Sequence, residues 1–152
     1  MRIQEYLQQE HVPFQMLEHP PAYTAQEVAA EEHISGDRTA KAVVVHADTN
    51  FVLCVLPASY KLDLNKVARA LKTRQVRLAD ESEMAKLFPD TEVGAEPPFG
   101  NLYRLTTLVD QHLVGEGEIV FPAGTHRNAI RMKYPDFAKL SQPQVADLAV
   151  HL

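Results

Sequence analysis

The sequence predicts an α+β fold built on a mixed or mainly antiparallel sheet, and three observations carry that prediction. Two apolar runs, "AVVVHA" and "FVLCVLP", flank the turn-forming residues Asp48-Thr49-Asn50 and read as a β-hairpin. Leu64, Val67, Ala68 and Leu71 recur at the spacing of one helix face. Beyond residue 100, the strand-like segments "LYRLTTLVD", "GEIVFPAG" and "NAIRM" outnumber helical ones, which disfavours a doubly wound parallel sheet.

The elements follow in order. Ile3, Tyr6 and Leu7 stand at helical spacing, and "VPFQMLEH" has strand character. Thr24-Ala25-Gln26-Glu27 fits a capping box, with Glu27 reaching back to the amide of Thr24 itself, so a helix runs to about Glu32. After the hairpin, Asp63 caps the helix of Leu64 to Leu71, whose outer face displays Lys66, Arg69 and Lys72. "VRLA" reads as a short strand, and Asp80 with Glu83 starts a capped helix ending near Phe88. The next segment, "PDTEVGAEPPFGN", holds three prolines and two glycines and sustains neither helix nor strand. Pro135 and Asp136 open a last helix.

No repeat, low-complexity linker or composition break divides the 152 residues, so residues 1–152 are expected to form one domain. Apolar residues at 45% and charged residues at 23% are ordinary for a globular chain. No stretch approaches the roughly 18 apolar residues of a membrane span, and "MRIQEYLQQE" lacks the apolar centre of a secretory signal. A cytosolic protein with no membrane partner is expected. Cys54, the one cysteine, has no internal disulfide partner and reads as a small core residue. The net charge of −5 argues against a duplex-DNA binder. Charge is nonetheless polarised: Lys61 to Arg77 holds six basic residues and one acid, whereas Asp80 to Glu96 holds six acids and one lysine. The basic run is either a solvated helix face or a patch facing phosphates.

The sequence lacks GxGxxG, Walker, HExxH, CxxC and GxSxG patterns. Seven histidines are scattered without ligand spacing, so no metal is expected, and nothing calls for a cofactor. Three elements remain. Lys41 stands two residues before the run Val43-Val44-Val45, and a cation at the root of a core strand needs water, a carboxylate or a bound anion for its head. The loop Gly94-Ala95-Glu96-Pro97-Pro98-Phe99-Gly100 is stiffened by two prolines and released at both ends by glycine. It presents main-chain groups to a ligand or serves as a tight connection plugged by Phe99. Gly124-Thr125-His126 is a turn that sets a hydroxyl and an imidazole near a sheet end.

Taken in order, "TAKAVVV", "LPASYKLDL", "VGAEPPFG" and "AGTHRNAIRM", followed by "YPDF", resemble the YbaK / prolyl-tRNA synthetase-associated editing-domain family over about Thr24 to Leu140. The resemblance implies a central, mixed, barrel-like sheet with surrounding helices. It also implies hydrolysis of the ester that joins a wrong, small amino acid to the 3′ end of a tRNA. The family's lysine matches Lys41, its glycine-proline loop matches Gly94 to Gly100, and its turn residue matches His126. In that light Lys41 anchors a phosphate or the charge developing on the ester carbonyl. Gly94, Ala95, Pro97, Pro98, Phe99 and Gly100 cradle the substrate, and Thr125 or His126 positions water or the ribose. Phe14, Tyr23 and Ile34 are candidate pocket walls, and Lys61, Lys66, Arg69 and Lys72 would face the tRNA. The alternative for Lys41 is an ion pair with Glu31 or Glu32. Two functions stay open: a free-standing trans-editing deacylase acting on the acceptor end of mischarged tRNA, or a non-catalytic module that binds an amino acid, an aminoacyl-adenosine-like ligand or a synthetase.

Overall fold

The computed structural model describes residues 2–152. Helix Ile3–Gln9 (α1) precedes strand Gln15–Glu18 (β1) and helix Ala25–Glu31 (α2). The hairpin is Ala40–Ala47 (β2) and Asn50–Pro57 (β3), and Tyr60–Leu62 (β4) leads into helix Leu64–Leu71 (α3). Val76–Leu78 (β5) and helix Glu81–Leu87 (α4) come before the proline-rich loop. Thr106–Asp110 (β6), Glu118–Pro122 (β7), Asn128–Lys133 (β8), helix Tyr134–Ser141 (α5), Gln144–Ala146 (β9) and Ala149–His151 (β10) complete the chain.

Local chemistry accounts for most of these boundaries. Ala47 pairs with Asn50, leaving Asp48-Thr49 as a two-residue turn, and Asp48 takes φ of 55°, a region that aspartate tolerates. The Asp63 carboxylate accepts from the amides of Asn65 and Lys66 at 2.9 and 3.3 Å. Asp80 and Glu83 form a full capping box. At α2 the box differs from expectation. Thr24 accepts from the Glu27 amide at 3.1 Å, but the Glu27 carboxylate accepts from the amide of Tyr23. The Thr24 hydroxyl donates to the same carboxylate and draws it one residue toward the N-terminus. The segment "LYRLTTLVD" is also strand only from Thr106, because Gly100–Tyr103 is a 3-10 turn closed by Arg104 at φ of 60°.

The strands form a five-stranded sheet ordered β5-β2-β3-β6-β9, a three-stranded sheet ordered β1-β8-β7 and a β10-β4 ribbon. Among the named strands the β3–β6 and β6–β9 pairs are parallel and the other five pairs are antiparallel, so the fold is α+β with a mixed central sheet and mainly antiparallel pairing overall, as the sequence predicts. The barrel-like closure implied by the family resemblance is not formed: the two larger sheets meet at a single bridge, Thr39 to Val120. Two residues further along β7 stands Pro122, which has no N–H with which to extend a ladder.

Strand alternation then sorts the core. Val44, Leu53, Val55 and Val109 point to one side, where Ile119, Phe121, Ile130, Met132 and the rings of Phe99 and Phe137 meet them. Val45, Val52, Cys54 and Leu108 point to the other side, under Val67 of α3. Both faces of the large sheet are covered, which is why its central strands read as continuous apolar runs. Among the described residues, no helix is long and apolar enough to cross a membrane.

Candidate functional site

The site grows from one edge of β2. A two-residue hairpin closes on a pair that exchanges both hydrogen bonds, so Lys41, Val43, Val45 and Ala47 aim their backbone groups at β3. Ala42, Val44 and His46 aim theirs at the opposite edge. The Ala58 amide donating to Thr39 O at 2.7 Å and the Ala79 amide donating to Val44 O at 2.9 Å fit that alternation. On this second edge β5 covers Val45 to Ala47, and the bridge to β7 lies back at Thr39. Between them the N–H and C=O of Ala42 find no partner among the described residues.

Two adjoining hollows open along that gap. One, of about 390 Å³, is lined by Lys41, Ala42, Val43, Ala58, Gly94 and the first residues of α2. The other, of about 250 Å³, is lined by Ala42, Val43, Val44, Val93, Gly94 and Glu96, with Met84 of α4. Ala42, Val43 and Gly94 border both. Gly94 sits at φ of 91°, a backbone conformation that suits glycine. A Cβ there would stand 3.5 Å from the His126 ring and 3.8 Å from Tyr23 O, so His126 lies behind the glycine. The His126 ring packs on Tyr23 with centroids 4.7 Å apart, and its backbone amide donates to Glu92 at 2.6 Å.

Charge in the site is sparse. No carboxylate comes within ion-pair distance of the Lys41 ammonium among the described residues, and the pairs with Glu31 or Glu32 that the sequence left open are not formed. Burial lowers the pKa of Lys41, because desolvation disfavours its charged form. Glu96 is 4% exposed, and burial raises its pKa against the opposing pull of the Gly94 amide and of His126.

Of the residues singled out from the sequence, Lys41 and Gly94 border the same hollow, with His126 and Tyr23 stacked behind Gly94. Others stand elsewhere. Thr125 lines a smaller cavity of about 90 Å³ with Arg2, Asp90, Pro97 and Tyr103, and its hydroxyl oxygen accepts from Arg127 and Asn128. Phe99 is fully buried among Tyr6, Phe121 and Phe137, so it plugs the core instead of walling the groove. Ala95 and Pro98 are buried, and the Gly100 amide donates to Thr107 at 3.0 Å. Ile34 packs against the small cluster of Ala22, Val28, Val120 and Ala129, and Phe14 against the main core. Lys61, Arg69 and Lys72 are exposed, but Lys66 is held by Asp147 at 2.9 Å and by Ala149 O at 3.0 Å.

Sequence reading missed Glu96 and the open backbone of Ala42. Glu96 was one acid in an acidic run, and its burial depends on strands distant in sequence. The hairpin register could have exposed Ala42, had the partners of the second edge been known.

The groove lies at an interrupted strand edge and brings Lys41 to the same hollow as Gly94 of the glycine-proline loop. Residues 19–140 match the aminoacyl-tRNA editing domain, and the chain belongs to that family. It is 26% identical over 151 residues to the multifunctional Ser/Thr-tRNA deacylase ProXp-y of Escherichia coli strain K12, covering 96% of this chain and 90% of that protein. It is 29% identical over 132 residues to the proline–tRNA ligase of Dehalococcoides mccartyi, covering 86% of this chain but only 22% of the ligase. A crystal structure of a candidate trans-editing enzyme for prolyl tRNA synthetase superposes with a TM-score of 0.86 at 27% identity, covering 98% of this chain and 95% of the other.

Proposed function

We propose that the chain is a trans-editing hydrolase that deacylates mischarged aminoacyl-tRNA, cleaving the ester between a small amino acid and the terminal ribose. The observation that carries this reading is the unpaired Lys41 ammonium beside Gly94 in a shared hollow. Water attacks the ester carbonyl carbon, and the carbonyl oxygen gains negative charge as the new C–O bond forms. Lys41 stabilises that charge, acting in a partly desolvated place where a cation counts for more than in water. The intermediate then expels the ribose oxygen, which takes up the proton that water lost, and the free amino acid departs. His126, held by its backbone bond to Glu92 and its stacking on Tyr23, orients the water or the ribose. An aminoacyl ester is already activated, so placing water and stabilising charge suffice without a covalent enzyme intermediate or a cofactor.

The surroundings support a tRNA end as substrate. Ala58 and Leu152 border the Lys41 hollow, and the Leu152 amide donates to Ser59 O at 3.0 Å. From there the β10-β4 ribbon leads through Lys61 to α3, where Arg69 and Lys72 are exposed. A single-stranded acceptor end entering the groove would lay its phosphates along that basic side. The test is release of amino acid from tRNAs mischarged with alanine, serine, threonine, cysteine or proline under multiple-turnover conditions. Turnover on at least one supports the hydrolase; saturable binding with no turnover on any identifies a binding module instead.

A further inference from the structure

Among the described residues Glu96 is the one strongly buried charged group that borders the groove, and the mechanism above does not use it. Among the described residues its two carboxylate oxygens share a single donor outside its own residue, the Gly94 amide, at 3.0 and 3.1 Å. An ionised carboxylate offers about four acceptor positions, so most of its capacity is unfilled. No lysine, arginine or histidine among the described residues pairs with it. Leaving a buried carboxylate without a cation is costly. A second acceptor borders the same hollow: the carbonyl of Ala42, left open where the strand edge is interrupted.

Two unfilled acceptors with no cation of the protein's own call for a compact cationic donor from the ligand. In an aminoacyl ester that donor is one carbon from the reacting carbonyl. We propose that Glu96, with the Ala42 carbonyl, receives the α-ammonium of the aminoacyl group and so positions the ester for attack; this inference rests on the deacylation reading above. Lys41 lines one hollow and Glu96 the other, and the two meet at Ala42, Val43 and Gly94, so the ester spans them with its carbonyl toward Lys41 and its amine toward Glu96. An N-acylated aminoacyl ester brings a neutral amide with one N–H and no charge for Glu96 to pair, so it binds more weakly. Glu96 is thus a positioning residue that separates aminoacyl from peptidyl or formylated esters.

The test uses two stable mimics, adenosine carrying L-serine through a 3′-amide and its N-acetyl derivative, titrated into the wild type and Glu96→Gln. The wild type should bind the free-amine mimic about tenfold or more tightly than the acetylated one, as fits a charge-assisted hydrogen bond. Glu96→Gln should erase that ratio while leaving the acetylated mimic's affinity unchanged. The side-chain carboxyl carbon resonance of Glu96 in the wild type should shift with the free amine and not with the acetylated mimic, a readout that needs no variant. Equal binding of both mimics, binding of neither, a ratio preserved in Glu96→Gln, or equal weakening of both would overturn the assignment. Turnover of mischarged tRNA is measured in parallel. Turnover without amine selectivity sinks the role of Glu96 alone, whereas amine selectivity without turnover sinks the hydrolase alone.

Discussion

Replacing Lys41 by methionine keeps an unbranched side chain one heavy atom shorter and removes its charge, and it should move activity and stability in opposite directions. Two unit charges about 4 Å apart attract by roughly 4 kcal/mol at the effective dielectric of about 20 that suits a half-buried group. One oxyanion donor typically contributes about 2.7–4 kcal/mol. Deacylation by Lys41→Met should therefore fall about 100- to 1,000-fold in kcat, with a smaller change in KM. Stability should rise at pH 7, because the ammonium is partly desolvated with no carboxylate in return. The sign follows from proton linkage. The folded-state pKa lies below the ordinary value of 10.5, so at neutral pH both states are protonated and the desolvation cost is fully present. As pH climbs through the folded-state value, the folded chain sheds its proton first and the cost fades, vanishing above 10.5. The gap in melting temperature between Lys41→Met and wild type should thus be widest near neutrality and close toward pH 10.5. Single-turnover deacylation and thermal melts across pH measure both halves. A variant that melts lower at pH 7 would show that the ammonium has a stabilising partner, and undiminished deacylation would remove the charge from the chemistry.

Three further expectations address the fold and the tRNA face. Gly100→Ala places a methyl group on Thr107 Oγ1 and 2.7 Å from Leu105 O, where it competes with the buried Gly100–Thr107 hydrogen bond; a loss of about 2–4 kcal/mol in urea unfolding is expected, and a loss under about 1 kcal/mol would mean the turn yields freely. Burial pushes the Cys54 thiol up to about 12, so the native protein should resist a thiol reagent at pH 8 and react fully once unfolded; rapid native labelling would contradict its place under α3. Arg69→Ala and Lys72→Ala should each lower the salt dependence of tRNA binding, the log–log slope falling by about 0.7–0.9 for every phosphate that is no longer neutralised. Lys66→Ala, by contrast, should mainly reduce stability, since Lys66 ties α3 to Asp147 and Ala149.

What could be read from the sequence was whatever chemistry lies within a few residues. The hairpin, the caps of Asp63 and Asp80, and the stripe of Leu64, Val67 and Leu71 each depend on neighbours no more than about one helical turn or one tight turn away. β9 and β10 went unread because three-residue strands at sheet margins carry too little pattern, and their pairing with β6 and β4 is fixed by distant partners. The site divides along the same line. Lys41 and the glycine-proline loop were visible as local anomalies, and the groove they share was suggested only by family resemblance. Phe99 in the core, Thr125 in a separate cavity and Glu96 at the second hollow each follow from how the sheets pack, which no single stretch of chain encodes.

The interruption along β2 also bears on the molecule's solubility. Unpaired strand edges invite other chains to add on, and long ones seed fibrous self-association. Here β5 guards one end, β7 approaches the other, and the unguarded backbone is confined to the neighbourhood of one alanine, Ala42. That opening gives a foreign strand almost no ladder to extend. This edge of β2 can therefore stay open without itself becoming a template for further copies of the chain.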